Sequence, residues 1–272
     1  MSALNRFFGR HLKDSQLNWL FILPSSVLLA LFILPLFALF VRSINVGFFE
    51  YALSEGAFKA LRLSLLTSSF TTGITIFLGT PLAFILARWN FKLKSWVEVF
   101  IDLPILLPPS VAGLVLLITF GRRGMFGPLL DTLGISLPFT TAAVVMAQIF
   151  VSAPLYVRSG RVGFAHVDKQ LEEAAHVEGA NSWQLFYEVM FPLAGRALLS
   201  GAILTWTRAL GEFGATILFA GNLEGVTQTM PMAIYLGFER NLGIALALSV
   251  VLVMVSVALL MFTRRLERRQ AD

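Results

Sequence analysis

The sequence predicts an all-α polytopic membrane protein with six transmembrane helices, and three observations carry that prediction. Of its 272 residues, 57% are hydrophobic and only 14% charged, with a mean hydropathy of +0.77. Soluble domains carry roughly 25% charged residues. The apolar residues gather in runs of about 20, the length that crosses a hydrocarbon core of about 30 Å. The remaining charges lie mostly between the runs, where they orient helices in a bilayer. A net charge of +5 distributed in this way calls for no nucleic-acid partner.

The N-terminal segment, 1–18, carries Arg6, Arg10 and Lys13. The apolar run behind it, 19–41, is too long for a signal-peptide core and lacks a small-residue cleavage site, so it reads as a retained first span. Further spans are expected at 61–87, 97–120, 139–157, 193–220 and 243–263, which makes 19–263 one transmembrane domain, followed by a basic tail at 264–272. Six spans return the chain to its starting side. The basic residues on that side are Arg6, Arg10, Lys13, Arg88, Lys92, Lys94, Arg158, Arg161, Lys169 and the tail arginines Arg264, Arg265, Arg268 and Arg269. They outnumber Arg42, Lys59, Arg62, Arg122, Arg123 and Arg240 on the other side about twofold, which predicts that both termini are cytoplasmic.

The second span is rich in small residues, most of them polar: Ser64, Thr67, Ser68, Ser69, Thr71, Thr72, Gly73, Thr75 and Gly79. Helices in lipid gain no hydrophobic drive from meeting one another, so such residues mark a packing face inside a bundle rather than a substrate site. Pro104, Pro108 and Pro109 interrupt the third span and should kink or break it. Pro108 and Pro109 then belong either to a pathway wall or gate, or to an ordinary proline kink. In the fifth span Arg208 and Glu212 stand one helical turn apart, able to pair on one face. With Gly214 beside them they suit a gate or pathway lining, or a buried pair that fixes helix register; direct contact with substrate is disfavoured, because an ion held tightly there would not leave. Met230 to Phe238, behind a candidate Thr229 N-cap with Pro231 in the first turn, reads as a short helix at the outer face, either a contact for a substrate-binding protein or an anchor among headgroups.

Between the fourth and fifth spans, in a loop of about 158–192, lies a polar island from Leu171 to Pro192. Asp168 can cap a first short helix that Gly179 ends, and Asn181 and Gln184 have capping-box spacing for a second. Leu171, Ala174, Ala175 and Val177 give the first helix a small apolar face. Two short capped helices meeting at a glycine make a compact knob with an alanine tip, fit for a groove on another protein. By periodicity alone a solvated loop with incidental helicity would account for it better.

The register of the island resembles the EAA signature of permease subunits of binding-protein-dependent ABC importers: E-A-A, three residues, G, nine residues, I-x-L-P. Glu173, Ala174, Ala175, Gly179 and Pro192 fill their places, while Val189 stands for the Ile and Phe191 for the Leu. The stretches RALGEFGATILFAGNLEGVTQTMPMAIY and GRRGMFGPLL, at Gly121 to Leu130, are similar to molybdate-transporter permeases, with sulfate/thiosulfate permeases carrying a related pattern. The resemblance implies a type I ABC importer permease fold in a bacterial or archaeal plasma membrane. It implies a homodimer, a cytoplasmic ABC ATPase dimer that grips the knob, and an extracytoplasmic oxyanion-binding protein. The implied cargo is a tetrahedral oxyanion, molybdate first, with sulfate, thiosulfate or tungstate as alternatives.

No G-x-x-x-x-G-K-[ST] loop occurs in the sequence, so no cofactor is expected on this chain, and ATP with Mg belongs to the partner ATPase. An intramembrane enzyme would need a catalytic set at membrane depth, but no span contains a histidine and Asp102 is the lone aspartate of its helix. A passive channel would not need the EAA register. The absence of cysteine excludes disulfides and thiolate metal sites, and His166 and His176 lack further ligands nearby, so neither a metal site nor a catalytic residue is predicted.

Overall fold

A computed structural model describes the backbone of residues 15–269 and the side chains of 19 and 21–261. The basic side chains of Arg6, Arg10 and Lys13 and of the tail from Arg264 onward lie outside the described residues, as does most of the segment 1–18. The described elements are all helical: α1 (Ser15–Asn45), α2 (Phe48–Ala52), α3 (Glu55–Arg88), α4 (Lys94–Leu106), α5 (Pro109–Phe120), α6 (Gly127–Thr132), α7 (Thr141–Ala165), α8 (Lys169–Val177), α9 (Ser182–Leu210), α10 (Gly214–Ala220), α11 (Met230–Arg240) and α12 (Leu242–Arg269). Among the described residues five helices are long and apolar enough to cross a membrane, and six spans result if the bent α4–α5 pair counts as one.

The long helices outrun the apolar stretches that predict them, because capping and helix dipoles extend a helix beyond the lipid. Ser54 accepts the Ala57 N–H at 3.3 Å to start α3, Glu55 sits in its first turn and Arg88 in its last. Thr140 starts α7 in the same way, accepting the Ala143 N–H at 3.2 Å.

Two expected spans are not single helices. The third, 97–120, breaks at Leu107 and Pro108, both extended (ψ 137° and 136°), and α5 leaves α4 at 117°. Each proline forces the residue before it out of the helical region, so two in succession end the helix rather than bend it. The fifth, 193–220, begins earlier than its apolar run, at Ser182, and ends at Leu210; α10 is a separate helix after a three-residue break.

Helix α7 lies at the centre, packed on α3 and α9, with α4, α5 and α10 along its other sides. Small residues allow this crowding: a Cβ on Gly163 of α7 would lie 2.6 Å from Ala197 Cβ of α9. Most of the small polar stripe of α3 faces this core, with Ser64, Thr67, Ser68, Thr71, Thr75 and Gly79 buried, whereas Ser69 and Gly73 are exposed and Thr72 is only partly buried. Its hydroxyls serve packing. Thr71 Oγ1 donates to Gln148 Oε1 at 2.9 Å, and Gln148 Nε2 donates to Thr67 Oγ1 at 3.2 Å. Helix α11 packs on α12 and α3, and α1 lies along α12 and α2 with only 6% of its apolar window buried.

A capped knob and two paired helix breaks

The knob is built by its caps. Asp168 Oδ1 accepts the Gln170 N–H at 3.0 Å to open α8. At the other end Gly179 takes φ +88°, and the Gly179 and Ala180 N–H groups return to His176 and Ala175 carbonyls at 3.0 and 2.9 Å. This paired closure needs a left-handed residue, which glycine adopts without a Cβ penalty. Asn181 Oδ1 then accepts from Trp183 and Gln184 N–H at 3.0 Å each, and Gln184 Oε1 accepts from Asn181 N–H at 2.9 Å, the full capping box.

The second helix is not a short one. It runs from Ser182 through a π-turn at Leu185–Met190 into the span, so the knob is the cantilevered start of α9 with α8 folded against it. Pro192 lies just past the widened turn. A proline lacks an N–H and its ring collides with the carbonyl four residues back, and the wider turn gives that ring room. Glu173 and Ala174 are exposed on α8, while Ala175 packs against the core beneath. The apolar face expected of α8 is therefore divided: Val177 is 88% exposed at the tip and Leu171 is half exposed.

About 40 Å along α9 from its start, Arg208 Nη1 donates to Glu212 Oε2 at 2.6 Å. Glu212 is buried and lies in the break rather than in a helix; its second oxygen, Oε1, accepts the Ala215 N–H at 2.9 Å and so caps α10. The pair thus joins the end of one helix to the start of the next. The two breaks also meet. A Cβ on Gly214 would stand 2.5 Å from Pro109 Cβ, and one on Gly113 would stand 2.7 Å from the Ala215 carbonyl oxygen. Pro109, Arg208, Glu212 and Gly214 are therefore brought together, whereas Pro108 is the exposed extended residue at the mouth of the α5 break.

Several partnerships were not visible in the sequence. Arg88, at the end of α3, is ion-paired with Glu172 of α8 at 2.6 Å and donates to the Val167 carbonyl at 2.8 Å. Arg161 of α7 reaches Glu98 of α4 at 2.5 Å. Asp102, expected to stand alone, lies 3.8 Å from Arg158 of α7, about one turn along from the Glu98 contact. Opposite charges at matching helix ends were the available signal. Helix α11 also departs from expectation: Thr229 makes no side-chain cap, Met230 and Met232 are fully buried, and the Met230 N–H donates instead to Ser64 Oγ at 2.7 Å. One face of α11 is core, so it does not lie free among headgroups.

A bundle of apolar helices with two broken spans and a capped knob on one end is a multi-pass membrane permease. Over residues 79–272 the chain matches the family described as binding-protein-dependent transport system inner membrane component, and it belongs to that family. The molybdenum transport system permease protein ModB of Mycobacterium tuberculosis is 38% identical over 239 residues, covering 88% of this chain and 90% of the relative. The probable sulfate transport system permease protein cysT of Chlorokybus atmophyticus is 36% identical over 226 residues, covering 82% and 79%. Among solved structures, a bacterial ABC transporter involved in import of the acidic polysaccharide alginate superposes with a TM-score of 0.77 at 16% identity, covering 97% of this chain and 99% of that one. That likeness shows the fold, the type I ABC importer permease expected from the EAA register.

Proposed function

We propose that this chain is the membrane subunit of an ATP-driven importer of molybdate, working as a homodimer whose knobs dock into a cytoplasmic ABC ATPase dimer. The observation that carries this reading is the knob itself, closed by caps at three points with the EAA register in place. Glu173, Ala174, Ala175 and Gly179 form the docking element, and Pro192 sets where α9 resumes regular helix. The ATPase holds ATP and Mg; this chain supplies movement only. An extracytoplasmic oxyanion-binding protein delivers the cargo, and the knob end, where Arg88, Arg158 and Arg161 cluster, faces the cytoplasm with both termini. The first span leaves an apolar helix almost wholly uncovered, which supports a second copy and lipid as its neighbours.

Pro108, Pro109, Arg208, Glu212 and Gly214 form the gate. Arg208 is neutralised by Glu212 at 2.6 Å, so it holds the gate's shape and does not trap the anion in transit. ATP closes the ATPase pair, the knobs move, the spans rock toward the outward-open state, and hydrolysis resets them. Sulfate or thiosulfate is the second reading, supported by the likeness to cysT; tungstate shares molybdate's shape and charge. The test is ATP-driven uptake into vesicles holding this chain with its cognate ATPase and binding protein. Molybdate uptake that resists excess sulfate supports the proposal, uptake of sulfate alone replaces the cargo, and uptake without ATP makes the protein a channel.

A further inference from the structure

We infer that α3 is the strut that carries the knob's movement across the membrane, and that Arg88 is the positioning residue that locks the knob to it. The inference rests on the coupling role proposed above and concerns the route by which force leaves the knob. Two side chains one turn apart at the end of α3 grip each segment of the knob. The Phe84 ring meets Phe164, in the last turn of α7, at 5.5 Å and 88°, and Phe186, in the first turns of α9, at 5.1 Å and 85°. Arg88 donates to the Val167 carbonyl between α7 and α8, and the same nitrogen stands 2.6 Å from Glu172 Oε1 in the first turn of α8, an ion pair without hydrogen-bond geometry. Its side chain is 12% exposed and that of Glu172 22%. Arginine at a helix C-terminus and glutamate at a helix N-terminus are each favoured by the local dipole, so the contact suits both helices.

The knob's covalent connections are softer than this grip. Toward α9 the chain passes through the π-turn, whose hydrogen-bond ladder is out of α register, and then Pro192, which donates no hydrogen bond. Toward α7 it passes through His166 and Val167, where the helix has ended. Helix α3 by contrast is continuous for 34 residues. Its one interior proline, Pro81, follows Thr80, whose hydroxyl donates to the Ile76 carbonyl at 2.6 Å and accepts from Tyr156 of α7 at 2.7 Å, bracing that turn. About 36 Å from Arg88 along the helix, Ser64 accepts the buried Met230 N–H of α11, and beyond it Lys59 lies 3.8 Å from Glu224 in the loop after α10. One rigid element thus connects the knob with the segments that follow the gate.

The test compares wild type with Arg88→Gln, Glu172→Gln and the exchange Arg88→Glu/Glu172→Arg, each assembled with the ATPase and binding protein. Uptake per ATP hydrolysed is read beside ATPase co-purification and ATP turnover. Each single variant is expected to hold the ATPase and hydrolyse ATP, yet to lose about tenfold in uptake per ATP; the exchange recovers part of it. The chain has no cysteine, so Phe77→Cys on α3 and Glu178→Cys on the knob can carry spin labels without background. Their separation should stay fixed through the ATP cycle in wild type and broaden in Glu172→Gln. Full coupling in the single variants, loss of ATPase binding in them, or a wild-type distance that changes with ATP overturns the strut. If wild type itself neither holds the ATPase nor couples, the docking role of the knob fails instead, and the strut falls with it.

Discussion

Gly214→Ala tests the meeting of the two breaks at its narrowest point. The added methyl would lie 2.5 Å from Pro109 Cβ, 3.3 Å from its carbonyl carbon and 3.4 Å from its Cα. Carbon atoms sit comfortably at about 3.5–4.0 Å, so α10 must withdraw by about 1 Å. No flexible side-chain end is available to yield, because the obstacle is a proline ring and its backbone. Withdrawal also loosens Ala215 from Gly113 and the cluster of Ala112, Ala143 and Phe219 behind it. Overpacking of this kind costs about 1–3 kcal/mol, and rigid partners place it near the upper end. The internal control is Gly195→Ala in α9, where a Cβ meets nothing within 4 Å. There alanine removes the helix cost of glycine and should stabilise by up to about 1 kcal/mol. Thermal unfolding of both variants in the same detergent, with uptake measured beside it, gives two shifts of opposite sign. Equal shifts, or a Gly214→Ala protein as stable and active as wild type, would refute the tight junction and with it the assignment of these breaks to a gate.

Three further outcomes follow from the same geometry. Glu212→Ala leaves Arg208 without its partner and the Ala215 N–H without an acceptor; losing one member of a buried pair costs about 3–5 kcal/mol, and because the Arg208 side chain is 35% exposed the loss should fall at or below the lower end, read as a drop in unfolding temperature that Glu212→Gln partly restores. At Gly179 a Cβ has open space but φ is +88°, so damage should follow backbone preference rather than size, with coupled uptake falling in the order Gly, Asn, Ala, Val; an order that tracks side-chain volume would show that contact with the ATPase decides instead. Val177→Asp should leave the chain's own stability within about 0.5 kcal/mol, since the side chain is 88% exposed, but weaken ATPase capture about tenfold in a pull-down titration.

What could be read in the sequence divides by the range of the interaction that decides it. Asp168, Gly179, Asn181 and Gln184 act within three or four residues, so spacing alone predicted their hydrogen bonds, and each is made. The Arg208–Glu212 pair was visible at four-residue spacing, but its setting was not. Periodicity treats such a pair as lying on one helix, whereas Glu212 bridges the end of α9 and the start of α10; Gly211 and Gly214 on either side of it were the clue. Hydropathy averaged over that break and joined α9 to α10, as it joined α4 to α5. Arg88, Arg158 and Arg161 show the opposite limit. In the sequence each marks topology at a helix end, and each has an acid partner far along the chain that only the packing of α3, α4, α7 and α8 selects.

The two breaks dispose of their polar backbone by different means, and that difference bears on how they can move. Lipid offers no water to a freed N–H or carbonyl, so a broken span survives only where its own groups are satisfied. At the α5 break Pro108 and Pro109 have no N–H to satisfy, and the Ala112 N–H returns to the Pro108 carbonyl at 3.1 Å. At the α10 break the Gly211 and Glu212 N–H groups return to Thr207 and Ala209 at 3.3 and 3.1 Å, and the Glu212 side chain serves Ala215. Thr216 Oγ1, buried on α10 without a partner, has no such resolution. Nearly all of these bonds stay within a few residues of the break. None of these bonds passes between α5 and α10, and what joins the two helices is steric fit, Gly214 against Pro109 and Gly113 against Ala215. A junction held by fit can slide without stranding a hydrogen bond in lipid, whereas one held by exchanged backbone bonds could not. That is the property a gate between two broken spans requires.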